Sequence, residues 1–155
     1  MKKRRILFVC MGNICRSPTV EAVARKMAAS AGKSESYEFD SAGTHGYHVG
    51  DAPDQRAMIA GLKRGYDLSS LRARKVDIND FADFDLLLVM DNDNYSFLVR
   101  LCPSQYRDRV KLLLEFSPSS GIREIPDPYY GEAADFELVI DLAEQGIEGL
   151  LGVLR

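Results

Sequence analysis

The stretch ILFVCMGNICRSPTVEAV, residues 6–23, decides how the rest of the chain is read. Ile6 to Val9 is a short apolar run that ends on a thiol, Cys10. Such a run, bounded by a loop, reads as a buried strand, Ile6–Cys10. Ser17-Pro18 then opens a helix, with Ser17 as N-cap and Pro18 at the first helical position. Val20, Val23, Met27 and Ala31 recur at helical spacing, and Gly32 stops the helix. Between strand and helix lies a five-residue loop, Met11 to Cys15, closed by Arg16.

The spacing C-x5-R-S suits one tetrahedral anion. Gly12 permits unusual backbone angles, and Asn13 tolerates them better than most residues. A loop curled in this way turns successive N–H groups inward as an anion nest. The helix start adds partial positive charge. Arg16 can fork two hydrogen bonds onto two oxygens, which Lys cannot do. The same surroundings favour the thiolate of Cys10 with no histidine base, and Ser17 is placed to donate to the sulfur. Taken alone, a buried cysteine at a strand end reads as a small apolar residue. The C-x5-R-S pattern turns the reading toward a nucleophile that forms a phosphocysteine. Neither G-x-G-x-x-G nor a Gly-Lys pair before Ser17 is present, so this is neither a dinucleotide fingerprint nor a Walker loop.

A leaving oxygen needs a proton. Asp127 in EIPDPYYGE (residues 124–132) stands between Pro126 and Pro128, which stiffen its backbone. The segment 115–131 is long for a loop, as a lid or binding element would be. Two readings of Asp127 stand: general acid, or a plain Pro-Asp-Pro turn. Tyr129 and Tyr130 either line a slot for an aromatic group or pack the last helix on the sheet.

Further along, Tyr37–Asp40 reads as a second strand, residues 41–53 as a loop, and 53–64 as a helix stopped by Gly65. Residues 67–81 read as irregular, with one helical turn. Phe84–Met90 is a third strand running into Asp91 as N-cap, a helix follows to Pro103, and Val110–Leu114 is a fourth strand. Phe136, Ile140, Ala143, Ile147, Leu150 and Leu154 form one stripe on a last helix, 132–152. The alternation predicts an α/β fold: three layers, a four-stranded parallel sheet with helices on both faces, doubly wound and flavodoxin-like. Ligands of such sheets bind at the C-terminal strand ends, beside the first strand.

Length and composition set the limits. The 155 residues read as a single domain, 1–155, with 46% hydrophobic and 28% charged residues. The net charge of −3 makes nucleic acid a poor partner. Lys2 to Arg5 is either a solvated flank or a targeting signal. The apolar run behind it is too short for a signal-peptide core or a membrane span, so a cytoplasmic protein without membrane insertion is expected. Three cysteines, Cys10, Cys15 and Cys102, and two histidines, with no C-x-x-C, argue against a disulfide framework and against a metal. No cofactor is expected.

The segments VCMGNICRSP (9–18), DSAGTHGYHVG (40–50), DLSSLRAR (67–74), MDNDN (90–94) and DPYYG (127–131) together resemble the low-molecular-weight protein tyrosine phosphatases, across essentially the whole chain. That resemblance implies phosphotyrosine and aryl phosphate hydrolysis without metal, with tyrosine-phosphorylated proteins as partners and inorganic phosphate and other oxyanions as inhibitors. It implies Cys10 as nucleophile, Arg16 as phosphate clamp and Asp127 as general acid, then base. It matches Asn13, Ser17 and Ser41 to positions that brace the phosphate loop, and Met11, Ile14, Tyr47, Tyr129 and Tyr130 to the substrate pocket. Relatives that act on phosphoarginine resemble this chain but carry Thr at the position of Ile14, where an apolar side chain suits an aryl ring. Leu71 stands where bacterial relatives often carry a histidine that supports Asn13. Cys15 reads as loop packing or, as the resemblance implies, as a reversible disulfide partner of Cys10 under peroxide. A thiol-dependent arsenate reductase of the same fold, and a phosphate-binding module without turnover, are the rival readings.

Overall fold

In the computed structural model, which describes residues 2–117 and 121–154, the period-two pattern of the first strand sorts the core into two halves. β1 is Arg4–Cys10, and Ile6 to Val9 are fully buried. Successive side chains of a strand point to opposite faces. Ile6, Phe8 and Cys10 accordingly join one apolar cluster with residues of α1 (Arg16–Ser30) and α5 (Ala133–Val153). Leu7 and Val9 join the other, with Leu98 of α4 (Asn92–Leu101) and Phe81 of α3 (Asp80–Asp83). β2 (Tyr37–Gly43), β3 (Leu86–Val89) and β4 (Val110–Leu112) complete the sheet, with α2 (Gln55–Lys63) after β2. All pairings are parallel, in the order β2-β1-β3-β4. The chain leaves β1 for one neighbour and later returns to the other, so a crevice opens at the Cys10 end of β1, where such sheets bind ligands. The expected α/β class, parallel sheet and two helical layers are all present.

The boundaries move in informative ways. α1 starts at Arg16 with Cys15 as N-cap and no side-chain cap. Ser17 is therefore inside the helix, not its N-cap. Its hydroxyl is committed to Cys10 Sγ at 3.0 Å. Pro18 still lies in the first turn, where N–H groups have no intrahelical partner to lose. β2 runs three residues past the expected Asp40, because Ser41, Ala42 and Gly43 stay in register with Phe8, Val9 and Cys10. Gly43 reads as a breaker in sequence, yet its need is steric: a Cβ there would sit 2.7 Å from the Met11 carbonyl oxygen. α2 starts at Gln55, after Asp54 caps it by accepting from Arg56 N at 2.8 Å. β4 stops at Leu112, since Leu113 and Leu114 turn in a short 3-10 helix, Leu113–Phe116, packed beneath α5. The stripe Phe136 to Leu154 is buried throughout. The long segment 115–131 lies partly outside the described residues, at 118–120.

Candidate active site

β1 delivers Cys10 to the sheet's C-terminal edge, 3% exposed. The next residues turn at Asn13, the one non-glycine residue with positive φ (58°) among the described residues. That left-handed step costs least for Gly, Asn and Asp, and it aims the Asn13 backbone N–H at Cys10 Sγ, 3.3 Å away. The Asn13 side chain is spent entirely on bracing. Its Nδ2 donates to Ser17 Oγ at 2.8 Å and Ser41 Oγ at 3.0 Å, and its Oδ1 accepts from the backbone N–H of Arg74 at 3.0 Å.

These contacts fix the direction of every proton in the chain. A backbone N–H only donates, so the atom facing Arg74 is the amide oxygen and the NH2 faces the two serines. Both serines therefore accept from Asn13. The Ser41 hydrogen goes to Glu21 Oε1 at 2.8 Å, and the Ser17 hydrogen is left for the Cys10 sulfur. Glu21 is a carboxylate on the buried side of α1, 2% exposed, whose other oxygen receives two bonds from Arg25. Burial pushes its carboxyl above the usual range, against the lowering pull of its bonds to Ser41 and Arg25.

Arg16 is 3% exposed and held from the far side. Its Nη1 donates to Asp91 Oδ2 at 2.6 Å and to the Ile125 carbonyl at 3.0 Å. Its Nη2 lies 3.7 Å from Asp127 Oδ2. Burial alone would weaken the guanidinium's hold on its proton. Cys10, Asp91 and Asp127 outweigh that and raise it, so Arg16 stays charged. Asp91 serves two ends, because its other oxygen caps α4 by accepting from Asn94 N at 2.8 Å.

Asp127 is on a ledge with anchors on both sides rather than on a free-swinging lid. Ile125 is fully buried and donates its N–H to the Met90 carbonyl at 2.8 Å. Pro128 is buried too. Asp127 itself is half exposed and accepts from Tyr129 N at 3.1 Å.

Cys10, Met11, Gly12, Ile14, Cys15 and Arg16 line a cavity of about 300 Å³ together with Tyr47, His48, Asp127, Tyr129 and Tyr130. Met11, Ile14, Tyr47, Tyr129 and Tyr130, the residues that the resemblance matches to a substrate pocket, all line this cavity. Tyr129 is steadied by the Arg56 guanidinium, 5.5 Å from its ring centre, while Tyr130 meets it edge-on at 4.9 Å and is almost wholly exposed. Cys15, buried beside Asp54, Cys10 and Asp127, has its thiol pushed up to about 12, chiefly by burial. It is held as a neutral thiol next to Cys10. Gly12, Cys15 and Ile14 belong to the loop, with Ile14 O accepting from Asp54 N at 2.8 Å.

Four residues of this site are not legible in the C-x5-R-S pattern. His48 lies against the loop, where a Cβ on Gly12 would meet its Cδ2 at 3.2 Å, and its Nδ1 is 3.3 Å from Asp51. Asp91 reads only as a helix cap. Glu21 carries a signal, a charge on the apolar side of a helix four residues after Ser17. Arg74 acts through its backbone, while its guanidinium bridges Asp40 and Asp80. Leu71, at the place of the missing histidine, packs half-buried against the main core. The Arg74 amide supplies Asn13's third bond. Among the described residues, no group of three or more His, Cys, Asp or Glu is placed to hold a metal ion, and no helix is long and apolar enough to cross a membrane.

The chain has known relatives. Residues 5–155 match the family model described as low molecular weight phosphotyrosine protein phosphatase. A Synechocystis protein named for the same family is 47% identical over 95% of this chain and 94% of its own length. The human low molecular weight phosphotyrosine protein phosphatase is 40% identical over 88% of this chain and 86% of its own. A crystal structure of a protein tyrosine phosphatase from Entamoeba histolytica, with Hepes in its active site, superposes with a TM-score of 0.95 at 42% identity, covering 98% of this chain and 97% of that one. With a matching fold, near-complete coverage in both directions and a match that takes in the whole thiol loop, the chain belongs to the low molecular weight phosphotyrosine protein phosphatase family.

Proposed function

We propose that this protein hydrolyses phosphotyrosine in proteins, and aryl phosphates generally, through a phosphocysteine on Cys10. The observation that carries the proposal is the polarised hydrogen-bond chain ending at the sulfur, with Arg16 and Asp127 in the same cavity. The loop amides and Arg16 would hold the nonbridging oxygens of the phosphoryl group. The Cys10 thiolate attacks phosphorus in line. The S–P bond forms, the P–O bond to the phenol breaks, and Asp127 gives its proton to the leaving oxygen. Asp127, now a carboxylate, takes a proton from water. The water oxygen attacks phosphorus, inorganic phosphate leaves, and the thiolate returns with Ser17 donating to it. Charge that builds on the phosphoryl oxygens meets donors already in place.

Met11, Ile14, Tyr47, Tyr129 and Tyr130 supply an apolar and aromatic slot for the tyrosyl ring. Ile14 brings no hydroxyl to greet a guanidine nitrogen, which favours phosphotyrosine over phosphoarginine. Inorganic phosphate and other oxyanions act as competitive inhibitors in this reading. An arsenate reductase relays oxidation to another thiol. Here Cys102 is buried in the opposite core cluster from Cys10, its Sγ 3.2 Å from the Pro103 carbonyl oxygen. Cys15, adjacent to Cys10 within the loop, would close a protective disulfide under peroxide. A cytoplasmic location and the single unit 1–155 belong to the same proposal. The test is phosphate release from a phosphotyrosyl peptide by purified protein, with a phosphoarginyl peptide in parallel. Release from the first at a kcat/KM at least about tenfold higher is expected. A preference for the second would overturn the substrate assignment.

A further inference from the structure

The chain leaving β2 is registered to the thiol loop through its backbone. Thr44 N–H donates to the Cys10 carbonyl at 2.9 Å, and His45 N–H donates to the Met11 carbonyl at 3.0 Å. Thr44 is 2% exposed, and its hydroxyl lies 2.8 Å from His45 Nδ1, which fixes the imidazole's rotation. The His45 ring then stacks on Tyr47, with centroids 5.3 Å apart and planes at 14°, and leans on Phe97 of α4 at 5.3 Å and 42°. Phe97 packs in turn against the second core cluster. Tyr47 lines the cavity but is 72% exposed, and His45 is its one ring partner among the described residues. An exposed side chain without a partner spreads over several rotamers, and ordering it costs entropy.

We propose that His45 is a positioning residue for substrate selection: wedged between Phe97 and Tyr47 and tied through its backbone N–H to the Met11 carbonyl, it fixes Tyr47 as one wall of the aryl slot. The inference rests on the phosphotyrosine reading above for its substrate class, not for its geometry. The stack makes recognition of the ring separable from recognition of the phosphate. An oxyanion held by the loop amides and Arg16 would draw its hydrogen bonds from groups outside the stack. Aryl phosphate binding therefore depends on His45, and inorganic phosphate binding does not.

The experiment uses titration calorimetry with benzylphosphonate and with inorganic phosphate, alongside kcat and KM for a phosphotyrosyl peptide. The proteins are the wild type, His45→Ala, His45→Phe, Tyr47→Ala and the double alanine variant. His45→Ala weakens benzylphosphonate and raises peptide KM by about 2- to 10-fold, the range of an aromatic pair. Phosphate affinity and kcat change less than KM does. His45→Phe, which restores a stackable ring, recovers most of the loss. In the Tyr47→Ala background, His45→Ala adds nothing further. Additive losses, or equal losses for benzylphosphonate and phosphate, overturn the inference, as does an unchanged His45→Ala. A wild type that binds benzylphosphonate more tightly than phosphate but releases no phosphate from the peptide overturns the phosphotyrosine reading alone. The affinity ratio then still decides the role of His45.

Discussion

The backbone N–H of Arg74 donates to the side-chain oxygen of Asn13 at 3.0 Å, across 61 residues of sequence, and so decides which way the Asn13 amide faces. From that one bond follow the orientation of both serines and the aim of a hydroxyl at the Cys10 sulfur. The buried terminus of the chain is Glu21.

Glu21→Gln tests the terminus. Glutamine that keeps its oxygen toward Arg25 presents its NH2 to Ser41, which already accepts from Asn13, so the Ser41 hydrogen loses its acceptor and the brace on Asn13 weakens. A fall in kcat of about 3- to 30-fold is expected, on the scale of one or two hydrogen bonds of roughly 1 kcal/mol each. Stability moves differently. A carboxyl whose folded pKa is raised holds its proton more tightly in the native state, so wild-type stability falls as pH climbs from the unfolded carboxyl value toward the raised one. The Gln variant lacks that fall. Urea unfolding at acidic and neutral pH should show the variant gaining on the wild type as pH rises. A parallel pH dependence would mean that burial does not dominate at Glu21.

Asp91 separates two roles by substitution. Asn keeps the cap on α4 but gives up the charge facing Arg16, whereas Ala gives up both. Asp91→Ala should therefore unfold more easily than Asp91→Asn by about 0.5–2 kcal/mol, the value of a helix cap. Both should weaken inorganic phosphate binding, because Arg16 loses the partner that holds it in place. Urea unfolding and phosphate inhibition constants measure the two effects.

Cys15 and Cys10 should differ sharply toward alkylating reagents. The thiolate is the reactive species, and burial keeps Cys15 protonated far above neutral pH. Brief treatment with iodoacetamide at neutral pH should label Cys10 and leave Cys15 untouched, as read by peptide mass mapping. The same shift gives a sign for stability. The native state retains the Cys15 proton that the unfolded chain releases near 9, so stability falls as pH rises from about 9.0 toward about 12. Cys15→Ala should flatten that part of the profile relative to the wild type.

Asp127→Ala should lower kcat by about 10²–10⁴-fold for substrates with poor leaving groups. With p-nitrophenyl phosphate, whose phenolate leaves readily, the loss in the first step should be smaller. A plot of rate against leaving-group pKa should steepen in the variant. An unchanged slope would place the acid elsewhere.

What the sequence carried was what local geometry dictates. Strand, loop and helix around Cys10 follow one another within a few residues, and Gly12, Asn13 and Pro18 mark the turn directly. The family resemblance marks Ser17 and Ser41 as bracing positions, whereas local rules place Ser17 as a helix cap and Ser41 in a loop, and the structure puts Ser17 inside α1 and Ser41 in β2. In both cases a side chain's tertiary partner overrides the local rule. Glu21, Asp91, Arg74 and His48 escaped because their roles exist only once distant segments meet. Arg74 is invisible in principle to side-chain reasoning, since the group it lends to Asn13 is a backbone amide.

The most direct test of the covalent route is to mix enzyme with excess aryl phosphate, quench within one turnover and read the mass of the peptide that contains Cys10. Wild type and Asp127→Asn should carry one phosphoryl group on Cys10, with more accumulating in the variant if water attack is slowed more than transfer, and Cys10→Ser should carry none on a cysteine. Rapid release of phosphate with no phosphorylated Cys10 at any quench time, or sustained turnover by Cys10→Ser, would contradict it.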